Sequence, residues 1–153
     1  MNGRRHKHIA LLLAICLLLC VGCGLKGPPV PRETTVPPNI ADLKAVVIGD
    51  TVRLSWALPM KKDVIFPGLK LFRVYKYEAP ISDKLCEGCP IPFQQVLDIH
   101  LDNPAPAWVE EDRMVWQDRV EPDHRYAYMV TVHHKSGGVS KDSNVVQFTT
   151  GEE

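Results

Sequence analysis

From Ile40 onward the apolar residues of this chain recur at every second position, a period that admits strands and little else. Val52, Leu54 and Trp56 alternate with Thr51, Arg53 and Ser55. Phe72 and Val74 alternate with Arg73 and Tyr75; Tyr126, Tyr128, Val130 and Val132 alternate with Ala127, Met129 and Thr131. Successive side chains of a strand point to opposite faces, so each run can bury one face and wet the other. Turn-forming clusters bound the runs: Gly49-Asp50, Pro67-Gly68, Pro104-Ala105-Pro106, Pro122-Asp123 and Gly137-Gly138. The pattern predicts seven strands, at about 41–47, 51–56, 70–78, 93–99, 113–118, 124–133 and 144–150, with no helical period after the N-terminal segment. Seven short strands in roughly a hundred residues describe an all-β, antiparallel sandwich.

Three markers fall in order along these strands. Trp56 ends the second strand. Val120-Glu121-Pro122-Asp123-His124-Arg125-Tyr126 sets an apolar residue and a proline turn before a tyrosine and an alternating strand. Gly137-Gly138-Val139-Ser140-Lys141-Asp142-Ser143-Asn144-Val145-Val146 makes a last hairpin with a Ser-Asn opening to its second arm. Over residues 38–151 this resembles a fibronectin type III domain, an Ig-like sandwich. The resemblance implies that Trp56 lies in the core and that Tyr126 is a tyrosine corner, its hydroxyl bonded to backbone upstream. Two departures stand out: a long connection between the third and fourth strands, and the proline-rich stretch at 104–106.

The N-terminus reads differently. Arg4, Arg5 and Lys7 precede an unbroken apolar run from Ile9 to Leu19. That run suits a signal peptide and falls short of the roughly 20 residues a membrane-spanning helix needs. Leu19-Cys20-Val21-Gly22-Cys23-Gly24 follows, and it looks like the lipobox of a bacterial lipoprotein. Gly22 puts the smallest residue before Cys23, whereas Cys16 and Cys20 follow the bulky Ile15 and Leu19. The resemblance implies a signal peptide at 1–22, lipid on Cys23 and export from the cytoplasm. Cys20 stands where that family prefers leucine. Gly24, in place of the Asp that retains such proteins at the inner membrane, favours a periplasm-facing place at the outer membrane. Residues 23–37 are rich in proline and glycine and read as a semi-rigid tether. Their opening, Cys23-Gly24-Leu25-Lys26-Gly27-Pro28, is similar to small lipoproteins associated with the lipopolysaccharide translocon, a match that ends after Pro28.

Removal of residues 1–22 leaves 15 basic against 18 acidic residues, a net charge of −3. That balance offers no basic face for nucleic acid and no polybasic patch for anionic lipid. Cys86-Glu87-Gly88-Cys89-Pro90 is the one motif that invites chemistry. A structural disulfide between Cys86 and Cys89 is favoured in an oxidising compartment. Thiol exchange lacks the helix N-terminus that would activate a thiol, and a metal would need two more ligands. His100, His124, His133 and His134 are scattered, so no metal is expected. Glu110-Glu111-Asp112 reads as a solvated loop; Asp102-Asn103 and Asp142-Ser143-Asn144 read as turn chemistry. Trp108 and Trp116 read as caps on the core, with an exposed aromatic platform as the alternative.

No nucleophile elbow, phosphate loop or zinc-protease helix is present in the sequence. The expectation is therefore a non-catalytic, lipid-anchored module, without cofactor beyond its lipid, that binds or scaffolds an envelope protein or a glycan. Two alternatives stand beside it: an accessory factor of an outer-membrane assembly machine such as the lipopolysaccharide translocon, and a thiol-exchange factor.

Overall fold

The computed structural model describes residues 33–84 and 88–151; the signal segment, Cys23, most of the tether and Cys86 lie outside the described residues. The described residues form ten antiparallel strands and no helix. In chain order these are β1 (Lys44–Ile48), β2 (Thr51–Ala57), β3 (Met60–Lys61), β4 (Val64–Ile65), β5 (Leu69–Pro80), β6 (Gln94–His100), β7 (Trp108–Glu110), β8 (Arg113–Arg119), β9 (His124–His134) and β10 (Val146–Thr149). One sheet runs β1-β2-β8-β7, the other β10-β9-β5-β6, and β3-β4 is a separate small hairpin. The described residues form an all-β sandwich.

The alternation read from the sequence decides which face turns inward. Val52, Leu54 and Trp56 of β2 and Met114 and Trp116 of β8 meet Phe72 and Val74 of β5 and Tyr126, Tyr128, Val130 and Val132 of β9 in one buried cluster. Trp56 packs edge-on against Phe72, ring centroids 5.7 Å apart, which joins the two sheets at mid-core. Trp116 meets Tyr128 in the same manner at 6.5 Å. Each of these large side chains contributes roughly 1.5–3 kcal/mol by leaving water.

One end of the core is closed by charge instead of hydrocarbon. Lys76 and Glu78 continue the inward face of β5, and Asp118 that of β8. The Lys76 ammonium lies 2.8 Å from Glu78 and 3.0 Å from Asp118, so it ties the sheets together. It also sits 5.0 Å over the Tyr126 ring, while Tyr128 donates its hydroxyl to Asp118 at 2.9 Å. Burial alone would push the Lys76 ammonium down; its bonds to Glu78 and Asp118 outweigh this and hold it above the usual lysine range.

All seven predicted strands are present, and the differences at their ends have local causes. The first begins at Lys44 instead of 41 because the preceding residues pair elsewhere. The Asp42 carboxylate accepts from the Ala57 N–H at 3.1 Å and from Arg113 at 2.6 Å. The Asn144 side chain exchanges two 2.9 Å hydrogen bonds with the Leu43 backbone, acting as a strand partner would. The last strand begins at Val146 because Ser140 and Ser143 stand in for its first half. Their hydroxyls accept from the Val132 and Val130 N–H groups at 2.9 Å, and their own N–H groups return bonds to the same residues' carbonyls.

Two elements were absent from the sequence reading. The β3-β4 hairpin turns at Lys62-Asp63, both with positive φ, without the glycine or asparagine that marks such a turn. Strand β7 pairs with β8 across Glu111-Asp112, so Glu110 lies in a strand and only its two neighbours form the loop. At the other end of the body, Thr35 donates its N–H to Ser136 and Pro37 is buried, so packing starts ahead of residue 38. The chain passes so close to the β9-β10 hairpin that a Cβ on Gly138 would meet the Thr35 carbonyl oxygen at 2.0 Å.

Candidate functional site

The expected loop site is only partly within the described residues. Gly88 adopts φ +79, and Cys89 is disulfide-bonded. Cys86, its candidate partner, lies outside them, as does Cys23. Arg125 anchors the start of this connection, donating to the Ile81 and Asp83 carbonyls.

The two tryptophans separate. Trp116 belongs to the core. Trp108 does not: it sits opposite Val115 on the outer face of its sheet, 38% exposed. Arg53 projects from the same face, lies 5.9 Å from the Trp108 ring and pairs with Glu110. Val46, opposite Arg53 on β1, and Ile48 extend this face with exposed apolar surface. The result is an aromatic platform flanked by a cation, a carboxylate and an apolar edge strand. Such a surface suits stacking and strand addition; it supplies no nucleophile or proton donor aimed at a common point.

The outer face of the other sheet is built around a bidentate pair. Arg73 donates to Asp98 at 2.7 and 2.8 Å. The guanidinium holds the Asp98 carboxyl below the usual carboxylate range. Burial, reinforced by the nearby Arg73 charge, pushes His133 down. A shallow groove of about 280 Å³ lies further along this sheet, lined by Tyr77, Ile91, Arg125, Gln147 and Phe148 among others.

The histidines do not converge. His133 bonds Thr131, and His134 spans Ser136 and the Pro67 carbonyl. His124 stands at the opposite end of β9, its Nε2 3.9 Å from Glu121. Beside it the Tyr126 hydroxyl accepts from the Glu121 N–H at 2.7 Å and donates to Glu78 at 3.2 Å. That five-residue reach back to the turn backbone is the geometry of a tyrosine corner. Burial raises the Tyr126 hydroxyl above its ordinary range, which keeps it a donor. Ser143 and Asn144 serve the backbone bonds already described, and Asp142 is exposed beside them.

Sheet order, core and corner together define the fold of a fibronectin type III domain. Among solved structures, the chain is similar to the third fibronectin III domain of the human KIAA0343 protein. The two are 17% identical, with a TM-score of 0.54 over 85% of this chain and 95% of that domain. It is also similar to the twitchin kinase region from C. elegans, which contains a fibronectin domain. That match has 12% identity and a TM-score of 0.51, and covers 76% of this chain and 17% of that one. Identities this low establish the fold alone. No family model matches the chain, and no curated protein matches it.

Proposed function

We propose that this chain is a lipid-anchored envelope lipoprotein whose sandwich domain is a non-catalytic binding or scaffolding module for a protein or glycan. In this reading residues 1–22 are removed, Cys23 carries the lipid, and residues 23–37 tether the domain in the periplasm at the outer membrane. Several acyl chains on one cysteine make a durable anchor, where a single chain binds only marginally. With Thr35 already bonded to the body, the twelve residues 23–34 reach up to about 37 Å at roughly 3.1 Å per residue, enough to clear a crowded surface. Cys86 and Cys89 are assigned to one structural disulfide that trims the freedom of the β5-β6 connection.

The observation that carries the binding role is the outer face of the β1-β2-β8-β7 sheet, where Trp108, Val46 and Ile48 stand exposed around the half-buried Arg53. A role of this kind requires no catalytic cofactor and no nucleic acid. Photocrosslinking from positions 46, 53 and 108 in intact envelopes tests it. The expected result is a recurring adduct with one envelope protein or glycan, absent when the crosslinker stands at Val64 on the β3-β4 hairpin. Adducts from none of the three positions would remove this face as the contact surface.

A further inference from the structure

We propose that Glu78, Glu121 and His124 form a binding site for a divalent transition cation of the zinc type, at the end of the sandwich opposite Thr35. The three residues come from β5, the β8-β9 turn and the first position of β9, and one ligand atom from each lies within 4.8 Å of the others. His124 Nδ1 is 2.7 Å from the Pro122 carbonyl oxygen, which can only accept; Nδ1 therefore carries the proton and donates it. This fixes the tautomer, as a backbone carbonyl does behind metal-ligating histidines, and leaves the Nε2 lone pair facing the carboxylates.

The spacing separates a cation site from a hydrogen bond. Nε2 lies 3.9 Å from Glu121 Oε2. That is too long for an N–H···O bond, and about 0.5 Å wider than the roughly 3.4 Å that separates two ligand atoms of a tetrahedral zinc with bonds of about 2.0–2.1 Å. In its neutral form the imidazole, with the two carboxylates, presents only lone pairs to the space between them, which a cation can fill. The Lys76 ammonium is bonded to Glu78 Oε2 and to Asp118.

The remaining requirements are met by side-chain rotation. A separation of 4.8 Å must close by about 1.4 Å to suit tetrahedral zinc. The Glu121 side chain is 74% exposed and free to turn. Tyr126, donating to the other Glu78 oxygen, steadies that carboxylate from behind. An imidazole with two carboxylates suits zinc over magnesium or calcium, and three protein ligands leave the fourth position to water or to a partner's side chain.

Calorimetric titration of zinc into the full-length protein in detergent, after chelator treatment, tests the site. The parent is expected to bind with a micromolar Kd, and Glu121→Gln and His124→Asn each to weaken that binding at least tenfold. Glu121→Gln is the decisive variant, because its exposed side chain holds no part of the fold; its urea midpoint without metal should equal the parent's. No zinc uptake by the parent, or an unchanged Kd in Glu121→Gln, would overturn the site.

Discussion

Trp56 shows what a single position contributes here. It is fully buried at mid-core, and its indole N–H meets no acceptor, so its whole value is packing. Trp56→Ala is expected to cost roughly 3–5 kcal/mol, a large share of the stability of a domain this size. Trp56→Phe keeps the apolar contact with Phe72, drops the orphaned donor and should cost less than half as much. Urea denaturation of the two variants checks the ratio; equal losses would mean that the indole bonds something. Tyr126→Phe keeps the ring and strands the Glu121 N–H, for an expected cost of about 1–3 kcal/mol by the same measurement. Both residues are legible in the sequence because alternation and a proline turn are local signals. The cluster at Glu78, Glu121 and His124 is not: β5 must pair with β9, Glu78 opposite Tyr126, before residues 78 and 121 can meet.

At the scale of elements, strands announced by period and turn chemistry were readable, and those made by borrowed bonds were not. β3-β4 lacks the turn residues that mark a tight hairpin. The first half of the last strand is replaced by Ser140 and Ser143, whose side chains imitate a ladder. Ser143→Ala should therefore free the buried Val130 N–H and cost about 1–3 kcal/mol, visible as faster hydrogen exchange at Val130. The pairing of β5 with β6 carries a pH dependence. Arg73 depresses the folded-state pKa of Asp98, so the pair's contribution is fully present above the unfolded carboxylate value of about 3.9. It is lost as pH falls through the lower folded value. Asp98→Asn should cost about 1 kcal/mol at pH 7, with the gap from the parent narrowing toward pH 2. A gap that stays constant between those pH values would show that the carboxylate's charge is not what matters.

For the whole molecule, the sandwich separates two working surfaces from the end where the chain enters. Thr35 and Pro37 pack at the β9-β10 hairpin, while Tyr126, Glu121 and His124 mark the far end and the Trp108 platform lies along one flank. Under the proposed lipid anchoring, a tether entering at that end leaves the other end and both flanks open to a partner. The fold was legible because every strand of its core obeys one period; the role was less so, because sandwiches of this kind serve many partners. The proposed place in the envelope rests on lipidation of Cys23. Mass spectrometry of the protein extracted from membranes tests this directly. The account predicts a chain that begins at Cys23 with an acylated N-terminal peptide; an intact chain from Met1, or an unmodified Cys23, would contradict it.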